Sequence, residues 1–213
     1  MQALVDPVLI LVLLINLFAL GNSRITSVIR MVGLQGAMLG TLPLLVHEPV
    51  TLGGLFVAAA AVGLKGIVIP KMLLRAMREV RIRREMEPLI GFVPSMVLGA
   101  LGTGLAVAFA RHLPLAERHA GPLLVPASLS TVLSGFILLT TRFKAISQVL
   151  GYLVLENGIF IFGMLLLEAM PLVVEMGVLL DLFVGIFVIS IIVHHIHEAF
   201  SSLDTRRLSS IKE

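Results

Sequence analysis

The chain has 213 residues, 58% of them hydrophobic and only 14% charged, with a mean hydropathy of +1.05 and a formal net charge of +3. A soluble domain of this size has no interior large enough to hide that much apolar surface, so a soluble globular fold is excluded. The sequence contains no cysteine, which excludes a disulfide framework and iron–sulfur or haem–thiolate ligation by this chain.

The apolar residues come in blocks of about twenty, the length a helix needs to span the hydrocarbon core at roughly 1.5 Å per residue. Seven blocks are legible, over residues 4–20, 28–46, 52–74, 89–110, 123–141, 146–167 and 172–193. Only a helix or a closed barrel satisfies the backbone in lipid. Barrel strands alternate apolar and polar residues, and these blocks do not. The expected fold is therefore all-α, a polytopic membrane bundle of seven transmembrane helices in one integral domain, with residues 194–213 as a cytoplasmic tail.

The first block is not expected to be a cleaved signal, because Asp6 replaces the usual positive flank. The second holds Gln35 and "GAMLG", Gly36 to Gly40, a small-xxx-small packing pattern. The third reads "VGLKGIVIP", which places Lys65 near mid-span. Pro70 there withholds a donor from the Gly66 carbonyl and is expected to kink the helix. After it comes the exposed basic run "RAMREVRIRREMEP", a loop suited to anionic headgroups or a partner subunit. The fifth block offers Ser128, Thr131 and Ser134, hydroxyls able to line a wet path or bridge helices. In the sixth, Gln148, Tyr152 and Glu156 fall at i, i+4 and i+8, one polar stripe beside Asn157. Asn157 and Gln35 are expected to be interhelical hydrogen-bond formers. The seventh carries Glu175 near its outer end and Asp181 near its middle, with His195 four turns further on the same face. The cluster "HHIHE", from His194 to Glu198, offers too few ligands on one face for a metal; a buffering role and an inert helix end remain open.

Orientation follows from the basic residues. Thirteen of the sixteen Lys and Arg fall on the side shared by the loops after the first, third and fifth spans and the C-terminal tail. Arg111 and Arg118 lie on the other side, and Lys65 lies within a span. This bias predicts an N-terminus outside, a C-terminus in the cytoplasm and an odd number of spans. The isoelectric point near 9.8 then reflects topology and not nucleic-acid binding.

Lys65, Glu156 and Asp181 are expected within about 3 Å of one depth. Each costs about 2.5–3.5 kcal/mol when isolated in a membrane, so partners or water must reach them. A Lys with a carboxylate in reach can trade between paired and neutral states, which is proton-handling chemistry. A structural ion pair that fixes helix register is the plainer alternative.

Three local signatures, Lys65 in "LKGIVIPK", Glu156 in "GYLVLENG" and Asp181 in "LLDLFVGIFVI", resemble the intramembrane charged motifs of the hydrogenase-4 component E family. The resemblance covers most of the chain and is densest over about residues 149–193. It implies a membrane subunit of group 4, energy-converting [NiFe] hydrogenase or formate hydrogenlyase-type complexes. In that family the C-terminal helices are similar to the small K subunit of complex I and to a subunit of multi-subunit antiporters. By this resemblance Lys65, Glu156 and Asp181 belong to a midplane proton path. Position on the helices adds Gln148, Tyr152 and His195 as further candidates, and Glu175 as either a proton exit or only an interfacial carboxylate. The chain would hold no cofactor and no active site of its own. The NiFe centre and iron–sulfur clusters would sit in peripheral hydrogenase subunits. Its partners would be antiporter-like membrane subunits and a membrane anchor subunit, in the cytoplasmic membrane. The competing readings are a stand-alone secondary transporter, against which stands the lack of an internal repeat, and a purely structural scaffold.

Overall fold

The computed structural model of the protein describes residues 4–46, 52–79, 86, 88–113 and 123–166. Among these the named elements are all helical: α1 (Val5–Gly21), α2 (Ile25–Val46), α3 (Leu52–Ala61), a π-helical segment (Val62–Val68), α4 (Ile69–Glu79), α5 (Phe92–Ala110), α6 (Leu124–Thr141) and α7 (Ala145–Leu166). Four helices are long and apolar enough to cross a membrane, spanning Ile25–Leu45, Phe92–Ala110, Leu124–Thr141 and Ala145–Leu165, and the apolar α1 is slightly shorter. The protein is a helical membrane protein. The expected seventh span, 172–193, and the tail, 194–213, lie outside the described residues.

The observed boundaries depart from the hydropathy blocks where local hydrogen bonds decide them. α2 begins at Ile25, three residues before its apolar block, because the Arg24 carbonyl accepts the amides of Ser27 and Val28 at 3.1 and 3.2 Å and starts the first turn early. The Asn22 carboxamide accepts the Arg24 amide at 2.7 Å, which holds the tight corner between α1 and α2. α5 starts at Phe92, three residues after its block. Residues 88 and 89 are occupied elsewhere: Pro88 bridges Arg142, and the Leu89 amide donates to the Thr141 carbonyl at 2.8 Å.

The third block runs past its expected end at residue 74, as an unbroken succession of α3, the π segment and α4 from Leu52 to Glu79. The disruption expected around Pro70 takes the form of the π segment that precedes it. The Ile69 amide reaches back five residues to the Leu64 carbonyl, so the missing proline donor is absorbed by wider winding. Lys65 is the middle residue of that segment.

Close packing follows from glycine. Without a hydrophobic force between helices in lipid, association rests on close backbone approach and hydrogen bonds. On α2 a Cβ at Gly33 would stand 2.5 Å from Pro70 Cγ, and one at Gly36 would stand 2.8 Å from Lys65 Cβ. These bare positions let the wide π turn lie directly on α2. Between α6 and α7, a Cβ at Gly151 would meet the Leu139 amide at 2.5 Å, and one at Gly158 would meet the Val132 amide at 2.6 Å. α5 rests on α1 and α6, and its Val93, Val97, Leu101, Leu105 and Phe109 form one exposed apolar face at a spacing of four, as a lipid-facing helix requires.

Two apolar cores result. One gathers Leu9, Val12, Leu39, Leu124 and Ile161 at one end of the bundle; the other gathers Leu20, Ile29, Leu73, Leu138 and Leu150 at the opposite end. The buried side chains of Asn16, Gln35, Thr131, Glu156 and Asn157 lie between them.

Candidate functional site

The layer between the two cores is built by the middles of the helices. Gln35 lies at the midpoint of α2, Thr131 near that of α6, Glu156 and Asn157 at that of α7, and Asn16 about one turn from the centre of α1. Each is a polar residue in a mainly apolar helix, and each is buried. Placing them at one level lets every helix satisfy its polar group on a neighbour instead of in lipid.

Lys65 reaches into this layer from the π segment. Its Nζ stands 3.5 Å from Glu156 Oε1, with the two side chains 14% and 9% exposed, and it donates to Asn157 Oδ1 at 3.4 Å. The Phe160 ring lies one turn further along α7, its centroid 5.6 Å from the ammonium. Either charge alone at this depth would cost about 2.5–3.5 kcal/mol, so the contact removes a penalty as much as it adds an attraction. Glu156 and Asn157 thus offer the ammonium acceptors of different kind on adjacent residues, one ionisable and one always neutral. A cavity of about 10 Å³ opens beside it, bounded by Gly33, Gly36, Lys65, Pro70, Leu150 and Asn157. That is roughly the room one water centre occupies.

Behind Asn157 the amides continue. Its Nδ2 donates to Gln35 Oε1 at 3.3 Å, Gln35 Nε2 donates to Asn16 Oδ1 at 2.9 Å, and Asn16 Nδ2 donates to Thr131 Oγ1 at 2.8 Å. Thr131 in turn donates to the Ala127 carbonyl at 2.6 Å. The ladder therefore joins the π segment, α7, α2, α1 and α6.

The residues singled out from sequence divide clearly. Lys65 and Glu156 are brought together. Asn157 and Gln35 are interhelical hydrogen-bond formers, as expected. Of the α6 hydroxyls, Thr131 bridges to α1, whereas Ser128 donates to the Val125 carbonyl of its own helix at 2.9 Å. Gln148 is turned aside, its Nε2 donating to the Arg142 carbonyl at 3.2 Å, so the expected stripe toward Glu156 is diverted at its first member. Tyr152 packs partly buried against the apolar core. Glu175, Asp181, His194, His195, His197 and Glu198 lie outside the described residues. Among the described residues no group of three His, Cys, Asp or Glu could hold a metal ion.

Two residues escaped sequence reasoning. Asn16 is the link between Gln35 and Thr131, and its signal was a lone amide in the apolar run "LINLF". Arg142, expected among the basic residues of the loops, is instead 1% exposed. Its guanidinium donates to the Leu20 carbonyl at 2.8 Å, to Ser95 Oγ at 3.4 Å and to the Ile90 carbonyl at 3.5 Å, and lies 5.1 Å from the Phe92 ring centroid. It ties the ends of α1, α5 and α6 together. Burial lowers its pKa from the ordinary arginine value, and the group still stays charged.

No family model matches the chain, and no solved structure matches it. It is 32% identical over 192 residues to "Uncharacterized protein Rv0085" of Mycobacterium tuberculosis (strain ATCC 25618 / H37Rv), an alignment that takes in 88% of this chain and 86% of that one.

Proposed function

The chain belongs to the family of that mycobacterial protein, and we propose that it is a non-catalytic, multi-pass subunit of a redox-driven, ion-pumping membrane complex of hydrogenase type. In this reading it crosses the cytoplasmic membrane seven times, with its N-terminus outside and its C-terminus in the cytoplasm. It lies between a membrane anchor and antiporter-like subunits, while peripheral subunits carry the NiFe and iron–sulfur chemistry. Lys65, Glu156 and Asp181 contribute to a proton path at the midplane.

The observation that supports this most is the buried contact of 3.5 Å between Lys65 and Glu156, set in a polar layer between two apolar cores. Ionisable groups inside a membrane are rare and are a functional-site hypothesis by default, ion pathways and proton relays among their roles. The site has the parts such a step needs. A carboxylate can accept a proton, an ammonium can let go of it, and Asn157 can receive the ammonium while the carboxylate is neutral. The charged intermediates stay shielded, because the ammonium moves between two adjacent acceptors in a largely buried site.

The test is Glu156→Gln in the complex purified from its native membrane with mild detergent. Gln is nearly isosteric and cannot ionise, so the complex is expected to assemble with its nickel and iron while ion pumping falls. Normal pumping in a correctly assembled Glu156→Gln complex removes Glu156 from the mechanism. Extraction of the chain from its native membrane with no accompanying subunits refutes the subunit reading.

A further inference from the structure

The amide ladder has a direction, and its direction is determined from both ends. A threonine hydroxyl has one hydrogen, and that of Thr131 is given to the Ala127 carbonyl at 2.6 Å. Thr131 can therefore only accept from Asn16, which must turn its NH₂ toward α6 and its oxygen toward Gln35. Gln35 must then donate to Asn16 and accept from Asn157. With its NH₂ so engaged, Asn157 is left presenting its oxygen to Lys65. An ammonium is a donor only, so it demands the same polarity from the other end. Reversing Asn16 or Gln35 would set NH₂ against NH₂ on one side and oxygen against oxygen on the other, and reversing Asn157 would set NH₂ against the ammonium.

We propose that Asn16, Gln35 and Thr131 are positioning residues that act through this one-way ladder, holding the Asn157 carbonyl oxygen toward Lys65 so that the ammonium keeps a neutral acceptor when its contact with Glu156 is released. This rests on the reading of Lys65 and Glu156 as a working pair. It adds that the second acceptor is built in advance by three other helices and is not an accident of α7.

Among the described residues, the neighbouring helices bring little else that could serve. Among the described residues Glu156 is the carboxylate within ion-pair distance of Lys65. α3, α5 and α6 carry no ionisable side chain, and α7 adds Tyr152 one turn before Glu156. α1 has Asp6, nearly three turns from Asn16, and α2 has the exposed Arg30. Lys71, Arg75 and Arg78 of α4 are exposed, and Glu79 is the last residue of that helix. Neutral amides are suited to the task, because their polarity cannot change with the protonation of the pair they serve.

The ladder is tested on the full chain in lipid vesicles by solid-state NMR, reading the through-space contact between Lys65 Nζ and the Asn157 carboxamide carbon. The background is Glu156→Gln, which mimics the released state. In that background the contact is expected to persist, and Thr131→Ser, which keeps the hydroxyl, should preserve it. Adding Gln35→Met is expected to weaken it severalfold, since the Asn157 amide then has nothing to hold its orientation. Asn16→Leu, one link further back, should act the same way and serves if Gln35→Met does not fold. Full retention of the contact in these folded variants overturns the proposal. Ion flux is not needed for the readout. Normal pumping with Glu156→Gln would sink the functional reading while leaving the ladder standing, and loss of pumping with an unmoved NMR contact would do the reverse.

Discussion

Replacing Lys65 with methionine measures how far the buried pair depends on both members. Methionine keeps most of the aliphatic stem that packs on Gly36 and removes only the ammonium. Glu156 is then left in a site 7% exposed, its partner at 3.5 Å gone, and Asn157 Oδ1 loses the donor at 3.4 Å. Breaking a buried pair by removing one partner costs about 3–5 kcal/mol, because an uncompensated charge stays behind. Insertion scales put an isolated mid-span carboxylate in the same range, at about 2.5–3.5 kcal/mol. Lys65→Met should therefore destabilise the fold by about 3 kcal/mol. Removing both charges, in Lys65→Met/Glu156→Gln, should restore stability to within about 1 kcal/mol of the wild type, since a neutral pair of similar volume has no charge to strand. The assay is reversible unfolding of the full chain in mixed detergent and SDS, followed by the helical circular-dichroism signal. A single variant that costs less than about 1 kcal/mol, or a double variant no more stable than the single, refutes the argument that charge stranding dominates this site.

Three further outcomes follow from the packing. Gly158→Ala would place a methyl 2.6 Å from the Val132 amide and 3.0 Å from the Ser128 carbonyl, backbone atoms that cannot swing aside. It should cost about 1–3 kcal/mol in the same unfolding assay. Gly104→Ala on α5 meets nothing within 4 Å and should be neutral or up to about 1 kcal/mol stabilising through helix propensity. Arg142→Lys keeps the charge but cannot span the Leu20 and Ile90 carbonyls together. A loss of about 1.5–3 kcal/mol is expected, with faster hydrogen exchange of the Leu89 amide. Unchanged exchange there would mean that Arg142 does not hold the α5 entry.

What could be read ahead of the fold depended on how loudly a residue contradicts its surroundings. Lys65 and Glu156 stand out in apolar runs because a charge in lipid is costly on any arrangement of helices. Asn16 contradicts its run far more quietly, since an amide costs less and a single one suggests nothing about its partner. Arg142 was hidden for the opposite reason. A positive charge at a span end is what topology alone predicts, so nothing marks this one as buried. Pro70 announced a local disruption without its form. The wide π turn needs room beside it, and that room comes from Gly33 and Gly36 on another helix.

By itself the sequence determined the solvent, the helical class and the depth at which polar chemistry must lie. Hydropathy accumulates residue by residue along one chain, and a helix translates position into depth at a constant rise. Only the tertiary structure decided that Lys65 meets Glu156, that four side chains from four helices form one directed ladder, and that Gln148 turns to Arg142. Those pairings are set by which helix faces touch. In lipid that choice rests on close approach at glycines and on satisfying each buried polar group, both of which join residues up to 122 positions apart.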